Sequence, residues 1–249
     1  MQPELSLVCP AHNEAANIEP LVREWEAVLR ATGKPFEIVL VDDGSNDGTF
    51  EIIRRLAAQR PYVRGLRLAC KSGQSAALVA GFHAARGRWI VTSDADLQND
   101  PHDLPKLLAA AAHAELVCGW RRDRKDPVWK KLVSRLANWW RSRRLEDGVH
   151  DTGCGLKLLR RDLALRLLPF DGMHRFMPAL ARIEGYRVAE VVVNHRPRQR
   201  ERSKYTFLNR LVKPIQDLRA VAWYRERRIR YEVAERIGFE QTLPVRKAA

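Results

Sequence analysis

The sequence predicts an α/β fold, a mainly parallel sheet with helices on both faces. Two observations carry that expectation. Short apolar, β-rich runs alternate with amphipathic stretches from residue 5 to residue 119, with little slack between them. Strict β-α-β-α order makes successive strands parallel and joins them by helical crossovers. Polar clusters at 10–14, 42–49 and 94–98 each follow a strand. In such sheets ligands bind beyond the carboxyl ends of the strands, so the three clusters converge on one edge, and that edge is the expected site.

Leu5–Pro10 reads as the first strand. Glu14–Ala31 reads as a helix, because Ile18, Leu21, Val22, Trp25, Val28 and Leu29 recur on one stripe. Gly33-Lys34-Pro35 ends it. Phe36–Val41 is the second strand, closed by Asp42-Asp43-Gly44-Ser45-Asn46-Asp47-Gly48-Thr49, and a helix follows through Ile52, Ile53 and Leu56. Next come a strand near Val63–Leu68, a Gly-led helix over Gln74–Ala85, a strand at Trp89–Ser93, a helix after Pro101 and a strand at Leu116–Gly119.

At 249 residues, 45% of them hydrophobic, the chain can bury a substantial core, which excludes wholesale disorder. It has no run of eighteen apolar residues, so nothing in it is expected to span a bilayer. The strand pattern begins at Leu5, leaving no room for a signal peptide. Cys9, Cys70, Cys118 and Cys154 lack zinc or redox spacing, and the expectation is a reduced, cytosolic protein. Charge is uneven. Residues 121–144 carry a net +8 and residues 196–230 a net +9, against +14 for the whole chain, so the remainder is slightly acidic. Two basic segments on an ordinary domain suit nucleic acid, an anionic membrane surface or a phosphorylated substrate.

The sharpest chemistry lies in Trp89-Ile90-Val91-Thr92-Ser93-Asp94-Ala95-Asp96-Leu97-Gln98, an apolar run ending in two carboxylates. In an extended segment side chains alternate faces, which would put Asp94, Asp96 and the Gln98 amide oxygen on one side. Three hard oxygen ligands so placed suit Mg²⁺ or Mn²⁺, although acidic residues also close strands without binding metal. Asp42 and Asp43 stand where carboxylates accept hydrogen bonds from a base or ribose, or merely line a solvated loop in which Asp47 caps the next helix. Glu14 could do similar work or simply favour a helix N-terminus. The small-sided start Gly73–Gly81 allows close packing on the sheet, and its amides could alternatively face phosphate.

In this order the motifs resemble the family 2 glycosyltransferases, which have the GT-A fold, and among them the polyprenyl-phosphate glycosyltransferases. The matching stretches are Val8-Cys9-Pro10-Ala11-His12-Asn13-Glu14, Asp42-Asp43-Gly44-Ser45 with Asp47-Gly48-Thr49, Gly73–Gly81, and Asp94-Ala95-Asp96-Leu97-Gln98. Further on, Asp151-Thr152-Gly153-Cys154-Gly155-Leu156-Lys157 is similar to the family's acceptor-side motif, and His195 and Arg198 with Ser203-Lys204-Tyr205 to its late basic motif. The resemblance covers roughly residues 5–207. Three departures stand out. Glu201 occupies a position usually held by Gly, His12 one where Tyr is frequent, and the C-terminal transmembrane helices of many relatives have no counterpart.

The resemblance implies a metal-dependent transfer, inverting at the sugar carbon, from a GDP- or UDP-sugar to a polyprenyl phosphate. Asp94, Asp96 and Gln98 would hold Mg²⁺ or Mn²⁺ on the donor diphosphate, with Asp96 essential to catalysis. Pro10, His12, Glu14, Asp42, Asp43 and Asp94 would bind the donor nucleotide, His12 by stacking. A phosphate monoester is mostly dianionic at pH 7, so it needs cations to position it rather than a strong base. The pattern places those contacts at Arg121, Lys130, Ser134, Arg198, Ser203 and Lys204, with Asp151 as a base or as the residue that orients those cations.

Both basic segments read as helices. Val128–Trp140 places Trp129, Leu132, Val133, Leu136, Trp139 and Trp140 at helical spacing, and Leu208–Arg230 places Leu211, Val212, Ile215, Leu218, Ala222 and Trp223 on one stripe. Each stripe could lie in an anionic membrane interface, giving a peripheral protein at the cytoplasmic, inner face, or could pack on the domain with its charge in water. The expected organisation is a GT-A domain over 1–207 and a basic amphipathic helical extension over 208–249. Two alternatives remain open: transfer to a sugar or protein hydroxyl, which would need a general base, and nucleic-acid binding. Three acidic clusters at one sheet edge would repel a phosphate backbone, and no nucleic acid is expected.

Overall fold

The computed structural model describes residues 2–122, 143–197, 209–229 and 235, with 209–215 described by backbone alone. The first half follows the expected alternation: β1 (Leu5–Ala11), α1 (Ala15–Ala31), β2 (Phe36–Asp42), α2 (Thr49–Gln59), β3 (Val63–Arg67), α3 (Gln74–Ala84), β4 (Trp89–Thr92), α4 (Leu104–Ala110) and β5 (Leu116–Trp120). The second half adds β6 (Lys157–Arg160), α5 (Arg161–Ala164), α6 (Met177–Ile183), β7 (Val188–Val192) and α7 (Asn209–Arg227).

The described strands form one seven-stranded sheet in the order β3-β2-β1-β4-β6-β5-β7. β1 pairs in parallel with β2 and β4, β2 with β3, and β5 with β7. β6 alone among them runs the other way, wedged antiparallel between β4 and β5. The chain builds outward from β1 to β3, then returns to lay β4 on the other side of β1. That reversal opens a crevice beyond the ends of β1 and β4, where open α/β sheets bind ligands.

Strand periodicity divides the core between the two faces. Leu5, Leu7, Cys9, Ile38 and Leu40 pack with the α1 stripe, including Trp25 at 0% exposure. Val8, Val39, Val41 and Ile90 pack with Ala77, Leu78 and Phe82 of α3. Burial on both faces explains why these strands read as unbroken apolar runs. A Cβ on Gly81 would lie 2.3 Å from Val8 Cγ1, so the small residues of α3 serve close packing on β1.

The structure corrects one apolar stripe. In α7, Leu218 and Val221 are buried in the α3-side cluster, whereas Trp223 is 63% exposed. Residues 218 and 221 lie one turn apart on the inward face, and residue 223 falls 200° from residue 221 at 100° per residue, which turns it outward. The described part of this helix therefore packs on the domain and leaves its tryptophan outside. Leu211, Val212 and Ile215 have no described side chains, and the stripe from Trp129 to Trp140 lies outside the described residues. Among the described residues no helix is long and apolar enough to cross a membrane.

Candidate active site

The β1–α1 and β2–α2 loops are laced together at the carboxyl edge. Asn13 N–H donates to Ser45 Oγ at 2.9 Å, Asn46 N–H to Asn13 Oδ1 at 3.0 Å, Glu14 N–H to Thr49 Oγ1 at 2.9 Å and Ala15 N–H to Asp47 Oδ2 at 3.1 Å. Asp47 also accepts the N–H and hydroxyl of Thr49, at the first residue of α2. Burial works against its ionised carboxyl, but these donors outweigh it and hold its pKa below the usual carboxylate range. The His12 ring is tied down by Nδ1 donating to the Asp43 carbonyl at 2.8 Å. Glu14 accepts from the Asn17 side chain at 2.5 Å, a local bond at the entry to α1.

The two adjacent aspartates have different work. Asp43 is 4% exposed, and its carboxylate takes the N–H groups of Ser72 at 2.6 Å and Gly73 at 2.9 Å. The amides of Ser72 and Gly73 thus face Asp43 rather than a ligand. Asp42 is fully buried. Its Oδ1 accepts from Ser45 N–H, and its Oδ2 has no hydrogen bond but lies 3.4 Å from Arg67 Nε.

After β4 the chain does not stay extended, which corrects the geometry expected for Asp94, Asp96 and Gln98. The strand ends at Thr92, residues 95–96 form a turn, and Leu97 sits at φ +62°. The cause is local: Asp96 Oδ1 accepts the N–H of Gln98 at 3.2 Å, the side-chain-to-backbone bond of an Asx turn. Burial still alternates, with Ala95, Leu97 and Asn99 buried and Asp94, Asp96 and Gln98 half-buried. Gln74 Nε2 donates to Asp94 Oδ1 at 2.8 Å and aims that carboxylate. The Gln98 amide leans on the late basic motif, Nε2 donating to the Arg196 carbonyl at 3.4 Å while Arg196 N–H donates to the Gln98 carbonyl. Arg196 itself ion-pairs with Glu24 and Asp100.

A cavity of about 350 Å³ opens beside Asp94. Pro10, Asp94 and Asp151 line it, with Gln74 and Leu78 from α3, residues 152–155, Lys157, and His174 and Arg175. Gly155 is essential to this wall, because a Cβ there would fall 2.2 Å from Asp94 Oδ2. Of the three expected metal ligands Asp94 lines this cavity while Asp96 and Gln98 do not, and among the described residues no group of three or more His, Cys, Asp or Glu is placed to hold a metal ion. Carboxylate and amide oxygens are nonetheless the donor type that Mg²⁺ or Mn²⁺ takes.

Asp151 and Arg121 form a two-point ion pair, Nε to Oδ2 at 2.7 Å and Nη2 to Oδ1 at 3.0 Å. Arg121 N–H and Gly153 N–H also donate to this carboxylate. Burial disfavours the charged guanidinium, but Asp151 outweighs it and raises the Arg121 pKa above its ordinary value. The cysteines are chemically quiet. All four are free, and burial pushes the thiols of Cys9 and Cys154 up and that of Cys118 to about 12.

The structure thus gathers Pro10, Asp94 and Asp151 around one cavity, ties Arg121 to Asp151, and sets His12, Glu14, Asp42 and Asp43 on the neighbouring loops. Lys130, Ser134, Arg198, Ser203 and Lys204 lie outside the described residues. Gln74, Lys157, His174 and Arg175 are cavity residues that sequence reasoning did not single out. Gln74 lay inside a stretch read for its small side chains, Lys157 closed the stretch similar to the acceptor-side motif, and His174 and Arg175 lay outside every quoted cluster.

The sequence model of the family described as Glycosyl transferase family 2 matches residues 6–168. The chain is 37% identical over 227 residues to the dodecaprenyl-phosphate galacturonate synthase of Rhizobium johnstonii, covering 89% of this chain and 67% of that protein. It is 39% identical over 210 residues to the undecaprenyl-phosphate 4-deoxy-4-formamido-L-arabinose transferase of Pseudomonas paraeruginosa, covering 83% and 62%. The chain therefore spans about two thirds of the length of these curated relatives. Among solved structures it resembles the glucosyl-3-phosphoglycerate synthase of Mycobacterium tuberculosis bound to phosphoglyceric acid, with a TM-score of 0.64 and 23% identity over 90% of this chain and 80% of that one. The same enzyme has been crystallised with Mn²⁺, UDP and glucosyl-3-phosphoglycerate. At this identity the likeness shows the fold.

Proposed function

The chain belongs to glycosyl transferase family 2 and has the GT-A fold, and on that premise we propose that it transfers a sugar from a GDP- or UDP-sugar to a polyprenyl phosphate. The observation that carries this reading is the cavity beside Asp94, flanked on one side by the laced nucleoside-side loops and on the other by the Arg121–Asp151 pair. The names of both curated relatives join a sugar to a polyprenyl phosphate, which supports the same acceptor class.

In this mechanism Asp94, Asp96 and Gln98 would hold a divalent cation, with Gln74 aiming Asp94, and the cation would supply positive charge to offset that of the departing diphosphate. Glu14 and the tethered His12 ring take the nucleoside, and the buried aspartates shape that pocket, Asp42 by holding Ser45 N–H and Asp43 by holding the loop ahead of α3. The acceptor phosphate attacks as a dianion, so Asp151 orients Arg121 and no carboxylate base is required. Arg198 and Lys204, with Ser203, Lys130 and Ser134, complete the acceptor side.

A panel of nucleotide sugars assayed with Mn²⁺ and a polyprenyl phosphate tests the reading. Turnover with the lipid phosphate is expected for at least one donor, and Arg198→Ala and Lys204→Ala should each cut acceptor kcat/KM by about tenfold or more, the scale of a lost charged hydrogen bond. Donor affinity, read by calorimetry, should stay within about twofold, too small to reflect a lost contact. Turnover only with a sugar or protein hydroxyl would favour the alternative acceptor, and an equal loss of donor binding would place these residues on the diphosphate.

We also propose that the protein sits peripherally on anionic membrane, at the cytoplasmic face, through Trp129–Arg144 and the outer face of α7. Trp223 is exposed one helical turn from exposed Arg219 and Arg227, and Ile229 is 78% exposed. Each Lys or Arg near such a surface contributes about 1 kcal/mol, and inserted Trp adds a component that salt does not screen. Vesicle co-sedimentation should therefore weaken with salt without vanishing, and Trp223→Ala or the Trp139→Ala/Trp140→Ala pair should reduce the salt-resistant part. Indifference to anionic vesicles at low salt, together with tight nucleic-acid binding lost steeply with salt, would reverse this assignment.

A further inference from the structure

One wall of the cavity beside Asp94 belongs to none of the sequence motifs. The turn at 172–175, just ahead of α6, brings His174 and Arg175 into the lining. Ser75 of α3 anchors that turn: its Oγ accepts the N–H of Gly172 at 3.1 Å and lies 2.8 Å from His174 Nδ1. A hydroxyl has one proton to give and two lone pairs, so Ser75 can meet either tautomer of the neutral ring; where its O–H donates to Nδ1, the ring proton sits on Nε2. Burial, reinforced by the charges of Arg175 and Lys157, holds the imidazole pKa down at about 4, so the ring is neutral at pH 7. His174 Nε2 has no hydrogen-bond partner among the described residues.

Cations around the cavity differ in whether they are already engaged. Lys157 is buried, with its Nζ donating to the carbonyls of Thr152 and Cys154. Arg121 is gripped by Asp151. Arg175 is exposed at the cavity, and its guanidinium makes no hydrogen bond or ion pair among the described residues. An uncommitted guanidinium beside a neutral imidazole suits an anionic oxygen. A phosphoryl group presents such oxygens and is matched by the guanidinium fork.

We propose that the Arg175 guanidinium and His174, in the tautomer that carries its proton on Nε2, form a phosphoryl-binding subsite in the cavity beside Asp94. The proposal deepens the transferase reading and rests on it for the source of the group, which is either the acceptor's phosphate monoester or the donor's diphosphate. Ser75 acts through His174, as the residue that holds its ring.

Calorimetry and kinetics on the full chain test this with Arg175→Ala, Arg175→Lys and His174→Gln. The probes are UDP with Mn²⁺, inorganic phosphate added to the UDP- and Mn²⁺-loaded protein, and a short-chain polyprenyl phosphate in steady-state turnover. Arg175→Ala should weaken at least one phosphate probe by about tenfold, as expected for a lost charge-assisted hydrogen bond. Arg175→Lys should recover part of that loss, and His174→Gln should cost less. Melting temperatures should be unchanged in both Arg175 variants, because no fold contact is removed. Joint loss of inorganic phosphate binding and of polyprenyl phosphate kcat/KM names the acceptor as the source, and loss of UDP affinity names the donor. No change with any probe, or a loss confined to the UDP-sugar with UDP itself unaffected, overturns the subsite. If the wild type ignores polyprenyl phosphate but binds inorganic phosphate through Arg175, the lipid acceptor has failed and the subsite stands.

Discussion

Asp96→Ala is expected to lower turnover by about a thousandfold or more, the scale of losing a group that stabilises charge developing in the transition state. The fold should survive. Asp96 is half-buried at a turn, where it accepts the Gln98 N–H. Losing such a bond costs about 1 kcal/mol, or a few degrees in melting temperature for a chain of this size. Asp96→Asn separates the two roles. The amide oxygen can still accept from Gln98 N–H and keep the turn, but it lacks the charge needed by a cation. Near-native melting with lost turnover in both variants, and a UDP affinity that no longer responds to Mn²⁺, would establish the metal role. Undiminished turnover in a chelator, or in Asp96→Ala, would remove it.

The way this turn forms also shows where sequence reasoning stopped. The parallel sheet was legible because β1, β2, β4 and β5 are apolar runs buried along nearly their whole length, and each intervening segment carries its own helical stripe or cap; the edge strand β3, with Arg64 and Arg67, is half-exposed. The burial alternation of residues 94–98 was legible for the same reason, but the backbone route was not. A side-chain-to-backbone bond at Asp96 bends a segment whose composition reads as extended. β6 was not read as a strand. It has four residues, begins with Lys157 and ends with Arg160, and its place between β4 and β5 depends on partners far away in sequence. Lys157 can start a buried strand because backbone carbonyls receive its ammonium, which composition does not reveal. The site shows the same limit. Asp42 and Asp43 look alike in sequence, and only the approach of Ser72 and Gly73 gives Asp43 a loop to hold. The pairings of Gln74 with Asp94 and Ser75 with His174 join residues 20 and 99 positions apart, and neither leaves a local pattern.

Asp151→Asn is expected to lower stability by about 3 kcal/mol, because removing one partner of a buried ion pair leaves the other charge uncompensated. The Arg121 and Asp151 side chains are only 12% and 10% exposed, so solvent does little to screen the loss. For a chain of this length that corresponds to a fall of about 10 °C in melting temperature. Activity should fall as well, since Arg121 loses the carboxylate that aims it. The shape of the change distinguishes orientation from base catalysis. Both oxygens of Asp151 already accept from Arg121, and Gly153 N–H adds another donor, so the carboxylate is fully engaged in holding its neighbours. A residue in that role should leave the pH dependence of kcat/KM unchanged in form, with the whole curve displaced downward. A general base would instead take with it the acidic limb of the profile. Observing the second pattern would assign Asp151 to proton abstraction and, with it, favour a hydroxyl acceptor over a phosphate.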